Sequence, residues 1–272
     1  MRSSLEIFDL AIGRACGVYE TDAHIEAPNW SPDGDHLLYN DGGLLYRLPA
    51  GGGAPERIDT GFATRCNNDH GFSPDGAAIA ISDTSESGES CIYVLPARGG
   101  APRRVTGRTP SWWHGWSPDG ARIAFTARRD GQFSIRTIAV DGGEETVVAA
   151  GGGHHDGPDY TPDGAFIWFN SDRGGSMQLW RVRPDGADVE QMTFDERVNW
   201  FPHPSPDGRL VVYLAYEHGV EGHPAGRYVE LRLMPQQGGK PETALALFGG
   251  QGTINVPSWS PDGRRFAFVR YF

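Results

Sequence analysis

Cysteine is scarce in this sequence, and its three cysteines are far apart. Cys16, Cys66 and Cys91 show neither a C-x-x-C pair nor the spacing of metal ligands. An odd number of scattered cysteines argues against a disulfide framework and is compatible with a reducing compartment. We therefore expect no structural disulfides.

The sequence also lacks an apolar run long enough to cross a membrane. A signal peptide needs an apolar stretch near the N-terminus, whereas this chain has Glu6 and Asp9 there. We expect a cytoplasmic protein with no membrane partner.

Positive charge is in deficit. The chain has 24 Lys and Arg residues against 35 Asp and Glu residues, which gives a formal net charge of -11 at pH 7. Proteins that bind nucleic acids or anionic membranes use clustered basic side chains to displace counterions. The composition therefore predicts no nucleic-acid partner.

Several familiar catalytic motifs are missing. There is no H-E-x-x-H, no Walker loop and no G-x-G-x-x-G after a strand. The run Gly-Trp-Ser-Pro-Asp that begins at Gly115 starts like a nucleophile elbow, but it lacks the closing glycine and its serine belongs to a repeated turn. A serine hydrolase is therefore not expected.

The sequence does contain a repeat, an aromatic residue followed by Ser-Pro-Asp-Gly. Proline presets φ for the first corner of a tight turn, aspartate can bond its own backbone, and glycine accepts the positive φ at the end. Residues that favour β-strands follow, as in 122–126, which predicts a hairpin. The six copies, one with Thr for Ser and one with Pro for the aromatic residue, end at Gly34, Gly76, Gly120, Gly164, Gly208 and Gly263.

The spacing of these copies predicts the fold. Their aspartates are 42, 44, 44, 44 and 55 residues apart. A period in the forties with four short strands per unit is the signature of a β-propeller blade. We predict an all-β fold, a six-bladed β-propeller of four-stranded blades, in a single domain over residues 1–272. The predicted blades cover residues 24–60, 66–106, 110–150, 154–194, 198–247, and 252–272 together with 1–20.

The two ends of the chain are expected to share a blade. Residues 5–10 and 15–20 alternate like strands but follow no turn motif, and residues 254–260 and 264–270 supply the two strands that such a blade lacks. Two N-terminal and two C-terminal strands would then close the ring and leave no free sheet edge.

Blade five contains an insertion. Residues 217–227 add about ten residues between its second and third strands, and their glycines and Pro224 indicate a loop. A long loop on a compact scaffold is a candidate for function. Its histidines, His218 and His223, are weak candidates for metal ligands.

The segments that lead into the inner strands should ring one mouth of the central channel. At the position where other blades have proline, blades two and three have His70 and His114. Together with His155 of blade four, these histidines are the predicted metal ligands, because imidazole suits zinc, manganese and similar ions.

The same segments contribute acids, amides and aromatic rings. His203, Asp156 and Glu26 are the predicted catalytic residues, because histidine and carboxylates are the usual acids and bases. Aromatic faces beside polar groups suit sugars, so we expect a small-molecule or oligosaccharide ligand. The predicted ligand-binding residues are Asn68, Asp69, Trp112, Trp113, Trp200, Gln251, Asn255 and Arg173.

A purely structural interpretation of these residues stays open. Polar side chains at the mouth can satisfy buried backbone groups, and tryptophans pack between the blades of propellers. Each histidine taken alone fits that interpretation. A fold would not, however, need histidine where other blades have proline, so the ring as a whole favours a ligand site.

The repeats that begin at Trp30 and Trp259, each Trp-Ser-Pro-Asp-Gly, resemble those of the TolB-type propeller family over essentially the whole chain. Oligogalacturonate lyases are similar propellers, more distantly, and the histidines at this mouth resemble their central site. That resemblance implies a divalent metal such as Mn, Zn or Ca and a catalytic histidine. The implied chemistry is a lyase step in which the metal neutralises a substrate carboxylate and a histidine removes a proton.

Two functions are therefore expected. The first is a TolB-like protein that binds a small saccharide-like ligand, or acts on it as a lyase or hydrolase. The second is a non-catalytic scaffold that binds a protein partner over the same mouth. A tight polar pocket would favour the first, and an open channel with an apolar rim would favour the second.

Overall fold

The structure, a computed structural model, describes residues 2–272. Over this range the chain forms 23 β-strands and no helix, which confirms the all-β prediction. It follows that residues 2–272 hold no helix of the length and apolarity that a membrane span requires.

The strands form six antiparallel sheets, one for each blade. The N-terminal strands are β1 (Ser3–Asp9) and β2 (Arg14–Thr21). Blade one consists of β3 (Ile25–Trp30), β4 (His36–Asp41), β5 (Leu44–Pro49) and β6 (Glu56–Arg57). Blade two consists of β7 (Cys66–Phe72), β8 (Ala78–Asp83), β9 (Cys91–Pro96) and β10 (Arg103–Arg104).

The remaining blades repeat this order. Blade three consists of β11 (Ser111–Trp116), β12 (Arg122–Arg129), β13 (Gln132–Ala139) and β14 (Thr146–Ala149). Blade four consists of β15 (His155–Tyr160), β16 (Ile167–Ser171), β17 (Gln178–Val182) and β18 (Glu190–Gln191). Blade five consists of β19 (Val198–Pro204), β20 (Leu210–Tyr216), β21 (Arg227–Pro235) and β22 (Glu242–Gly249), and the last strand is β23 (Arg265–Tyr271).

The closing blade joins both ends of the chain, as the sequence predicts. Its sheet has the order β2-β1-β23, and the Glu6 carboxylate on β1 accepts a 2.7 Å hydrogen bond from Arg270 on β23. Residues 254–260 take the inner position, but they pair with β23 through a single ladder bridge, Trp259 to Phe266. The predicted inner strand is therefore present in position and irregular in form.

The repeated turn has the same hydrogen bonds in every blade. In blade one the Ser31 hydroxyl donates to Asp33 at 2.5 Å and accepts from the His36 amide at 2.9 Å. The glycine that closes this turn, Gly34, has φ of 82°, a conformation that favours glycine. Because each turn holds itself together, the hairpins need no help from neighbouring blades to set their register.

Large aromatic side chains fill the space between blades. Trp113 is buried against the inner strand of blade two, where a Cβ on Gly71 would overlap its ring. Glycine at that position is therefore required by the packing of the tryptophan. Six apolar clusters of this kind form the core.

The strand directions place one end of every inner strand at the same mouth. β3, β7, β11, β15 and β19 each run toward their Pro-Asp-Gly turn, so their first residues lie together on the opposite face. The second strand of each blade runs back to that face. The inserted loop of blade five, which follows β20, therefore also lies at the mouth.

Candidate functional site

A cavity of about 270 Å³ opens at this mouth. Its wall combines side chains from four inner strands, from the second and third strands of blade three, from the inserted loop of blade five and from the segment that precedes β23. Seven residues predicted from sequence line it, namely Asn68, Asp69, Trp112, His114, Asp156, Gln251 and Asn255. Asn67, Thr126, Phe133, His154, Phe201 and His223 complete the wall.

Bulges in the inner strands turn these side chains toward the cavity. In β7 the register with β8 breaks between Cys66 and His70, which leaves residues 67–69 without ladder partners. In β11 the break falls between Trp113 and Gly115, so His114 is the extra residue. A bulge re-aims the side chain of its unpaired residue, and such distortions are common beside functional sites.

Asp156 is the most highly connected group in the cavity. Its Oδ1 accepts hydrogen bonds from the Thr126 hydroxyl and from the Gly157 amide, both at 2.8 Å. The His114 Nε2 lies 3.2 Å from the same oxygen. Burial favours the neutral acid, but the neighbouring imidazoles of His114 and His154 hold the pKa of Asp156 well below its usual range. Asp156 is therefore a fixed negative charge.

The pKa values of His114 and Asp69 are both raised by their surroundings. Burial alone would lower the pKa of His114, but the charges of Asp69 and Asp156 outweigh burial and raise it. Burial raises the pKa of Asp69 to about 6, with His114 and Asn67 opposing that shift and Asp156 and Glu26 adding to it. Two buried groups with shifted pKa values in one cavity are a common mark of a functional site.

Only one nitrogen of the His114 ring has a side-chain partner. Asp156 orients the ring through Nε2, whereas Nδ1 has no hydrogen-bond partner among the described residues although His114 is only 3% exposed. An imidazole paired with a carboxylate beside a cavity can take part in proton exchange with a bound molecule.

Aromatic rings form the opposite part of the wall. Trp112 stacks on Phe133 with 5.9 Å between ring centroids, and Phe133 stacks on His154 at 4.1 Å with only 4° between the ring planes. Phe201 has φ of 54°, which is uncommon for a residue with a bulky side chain. The equivalent residues Ala27 and Gly157 have φ of 55° and 60°, so this conformation belongs to the bulge that the inner strands share.

The inserted loop of blade five contributes His223 to the cavity. The His223 ring packs edge-on against Trp200 at 4.4 Å and against Phe201 at 5.1 Å. Its Nδ1 is hydrogen-bonded to the Gln251 side chain, and its Nε2 lies 3.9 Å from the Asp156 Oδ2. Burial lowers the pKa of His223. The loop thus covers one side of the mouth.

Amide side chains hold the remaining edge. Asn255 donates a 3.0 Å hydrogen bond to Gln251 and accepts one of 2.7 Å from the Gly252 amide. The Asn68 amide donates to Glu26 at 3.3 Å, which places Glu26 behind the cavity wall. Glu26 also lies 3.4 Å from His24, and this contact raises the pKa of that histidine.

The predicted metal ligands do not come together. His70 is fully buried, and neither ring nitrogen has a hydrogen-bond partner among the described residues. His155 Nε2 is bonded to the Gly151 carbonyl at 2.9 Å, while His114 pairs with Asp156. Within residues 2–272 no group of three or more His, Cys, Asp or Glu side chains is arranged to hold a metal ion. These residues therefore do not fit the metal that the lyase resemblance implies.

Four other predicted site residues lie outside the cavity. His203 pairs with Asp159 at 3.2 Å and with the Ile254 carbonyl at 2.9 Å. Both ring nitrogens of this buried residue therefore have structural partners. Trp113 and Trp200 are packed in the core. Arg173 lies over the ring of Trp180, 5.4 Å from its centroid, on the outer part of blade four.

Sequence reasoning missed three lining residues. Thr126 and Phe133 come from the second and third strands of blade three, where the repeat gives no sign of a position that faces the mouth. Asn67 lies beside predicted residues, and its contact with Asp69 depends on the bulge. His223, which the sequence offered only as a weak metal-ligand candidate of the inserted loop, lines the cavity together with His154 and Phe201.

Comparison with known proteins agrees with the repeat and the fold. Residues 113–225 match the family described as the TolB beta propeller domain. The whole chain is 55% identical to uncharacterized protein Atu1656 of Agrobacterium fabrum, of which it covers 93%. The chain belongs to the TolB-like β-propeller family.

Some solved structures are similar to this TolB-like propeller in both sequence and fold, and others in fold alone. A structure from Agrobacterium tumefaciens that carries the name TolB superposes with a TM-score of 0.98 and 55% identity, over 100% of this chain and 99% of the other. An oligogalacturonate lyase in complex with manganese has a TM-score of 0.59 and 14% identity, over 96% of this chain and 70% of that one. The second likeness is one of fold alone.

Proposed function

We propose that the mouth cavity of this TolB-like propeller binds a small, hydroxyl-rich, saccharide-like molecule. The observation that carries the proposal is the wall itself, which sets amides and carboxylates against the rings of Trp112, Phe133 and Phe201. Hydroxyl groups bond to amides and carboxylates, while the apolar face of a sugar ring packs on an aromatic side chain. A volume of about 270 Å³ suits a ligand of a few sugar units at most.

The chemistry that we propose at this site is proton transfer. The His114–Asp156 pair, in which Nε2 lies 3.2 Å from Oδ1, gives or takes a proton on the ligand. Asp69, with a pKa of about 6, serves as a second group that changes protonation near neutral pH. Carbohydrate lyases and hydrolases both need such groups. The donor groups among the described residues do not fit a metal ion.

Trp112→Leu tests the binding proposal. The variant removes the aromatic face but keeps an apolar side chain, so the affinity for a saccharide that binds the wild type should fall roughly tenfold. Isothermal titration calorimetry against a panel of mono- and disaccharides measures this. Trp180→Leu is the matched control, since Trp180 packs with Arg173 away from the cavity. Equal affinity of both variants and the wild type would contradict the proposal.

A protein-binding scaffold is the second candidate, and a separate surface favours it. Tyr228 is 75% exposed and Phe272 is 58% exposed, and with Phe248 they line a groove of about 420 Å³ at the junction of blade five and the closing blade. Exposed aromatic clusters are typical of protein contacts. Chemical cross-linking in cell extract tests this surface. If it binds a partner protein, the cross-linked complex of the wild type should be lost in Tyr228→Ser and retained in Trp112→Leu.

We also propose a cytoplasmic location. Cys16, Cys66 and Cys91 are all free thiols in the structure, and unpaired thiols are typical of reducing compartments.

A further inference from the structure

The charged side chains that line the mouth cavity are acidic rather than basic. Two carboxylates, Asp69 and Asp156, line it, and none of the described lining residues is a lysine or an arginine. The groups that could carry positive charge are the imidazoles of His114, His154 and His223. Proteins that bind carboxylates or phosphates usually supply guanidinium or ammonium groups for them, and this cavity has neither.

The two carboxylates differ in how well their charge is compensated. Asp156 has the Thr126 hydroxyl, the Gly157 amide and the His114 imidazole around it. Asp69 accepts an amide hydrogen bond from Asn67 at Oδ2, and its Oδ1 accepts none from the described residues. The Asp69 residue is nevertheless only 4% exposed. A buried carboxylate with one open oxygen is a strong acceptor for a charged donor.

The aromatic wall adds attraction for positive charge. The faces of aromatic rings carry negative potential, so a cation that lies against Trp112 or Phe201 is stabilised. In this cavity the rings and the carboxylates face one common space. Carboxylate and aromatic faces together are the usual means by which proteins bind an organic ammonium group.

The cavity wall also contains a hydrogen-bond donor, the His114 imidazole. His114 lines the same cavity, and its Nε2 lies 3.2 Å from the Asp156 Oδ1. When the ring is protonated, both nitrogens donate, and Nε2 is already directed at Asp156. A ligand group beside this imidazole is best an uncharged oxygen acceptor, such as a hydroxyl group.

We propose that the ligand of the mouth cavity is a protonated amino sugar. Its ammonium group lies beside Asp69 and the aromatic faces, and one of its hydroxyl oxygens accepts a hydrogen bond from His114. This inference rests on the proposed saccharide site and narrows it to one class. Uronates and sugar phosphates, whose negative charge would face Asp69 and Asp156, are poor ligands of the same cavity.

The test compares sugars that differ only in charge. Glucosamine, galactosamine and mannosamine, their N-acetyl forms, the parent hexoses and the matching uronates are titrated into the full-length protein near pH 7 and low salt. At least one hexosamine should bind roughly tenfold more tightly than its N-acetyl form and its parent hexose, with the uronate weakest. In Asp69→Asn this preference should shrink to about twofold or less, while Asp141→Asn, at an exposed side chain, keeps it.

The outcomes separate this inference from the function on which it rests. Neutral hexoses or uronates that bind as tightly as the hexosamines, with a loss in Trp112→Leu, would overturn the amino-sugar inference and leave the saccharide site standing. If no member of the panel binds, the proposed function fails and this inference fails with it. Circular dichroism of Asp69→Asn shows that a lost preference does not come from unfolding.

Discussion

At the scale of single residues, Asp69 is a carboxyl group whose buried surroundings disfavour its charged form. Burial raises its pKa to about 6 in the folded protein, from an ordinary value of 3.8. The folded state therefore binds the proton more tightly than the unfolded state does. The contribution of Asp69 to the free energy of unfolding therefore falls as the pH rises from about 4 through about 6. Above that window the destabilisation has reached its full size.

Asp69→Asn should therefore stabilise the protein at high pH. We expect the free energy of unfolding to increase by an amount on the order of 1–3 kcal/mol near pH 8 and to change little near pH 4. Urea unfolding of both proteins at the two pH values measures the difference. Asp141→Asn, whose side chain is 91% exposed, should show no such pH dependence. A less stable Asp69→Asn at pH 8 would mean that the carboxylate is structural.

Single residues also show where sequence reasoning succeeded and where it could not. His70 and His114 occupy the same position of the repeat, yet only His114 lines the cavity. The difference lies in the bulges, because β7 pairs His70 with Ile81 whereas β11 leaves His114 unpaired. A repeat predicts the position of a residue along a strand, but not the local register that decides which way its side chain points.

His155 illustrates the same limit through strand alternation. It directly precedes Asp156 on β15, and neighbouring side chains of a strand point to opposite faces. Asp156 therefore faces the cavity while His155 is directed at the Gly151 carbonyl. Both could be placed near the mouth from sequence, but only one can belong to the site.

At the scale of elements, the inserted loop of blade five acts as a cover for the cavity. Residues 217–226 include Gly219, Gly222 and Gly226, all with positive φ, and they bring His223 over Trp200 and Phe201. The Pro224 carbonyl accepts a 3.1 Å hydrogen bond from the Tyr216 hydroxyl, which fastens the loop to β20. The length of the insertion suggested a functional loop, but its contacts could not be read from the sequence.

His223→Ala should loosen this cover without harming the propeller. The variant loses the bond to Gln251 and the packing on Trp200, so a bound sugar should dissociate faster and its affinity should fall roughly tenfold. Stopped-flow or surface plasmon resonance measures the dissociation rate. His218→Ala is the control on the same loop, because His218 is bonded to the Glu196 carbonyl at the surface. Equal dissociation rates for the two variants would show that the loop does not retain the ligand.

At the scale of the whole molecule, the fold was predictable because one short motif recurs. Each Ser-Pro-Asp-Gly turn carries its own hydrogen bonds, so six copies at a nearly constant spacing imply six hairpins in a ring. Closure by both chain ends followed from the surplus strands at the two termini. The irregular form of the inner segment 254–260 could not be predicted in this way, because its single ladder bridge reflects the local geometry of that blade.

The ring also explains why the site lies where it does. All inner strands start at one mouth, and variable residues there meet without altering the turns that hold the blades together. The TolB-like scaffold thus separates the turns that hold the blades together from the residues that line the cavity, and the same fold can serve proteins with different functions.

The most direct measurement is a crystal structure of the protein grown with the hexosamine that binds most tightly. We predict a bound sugar in the mouth cavity, with its ring on Trp112, its ammonium group at Asp69 and a hydroxyl group at His114. A sugar bound at any other surface, with this cavity filled by solvent, would contradict the assignment of the mouth as the functional site.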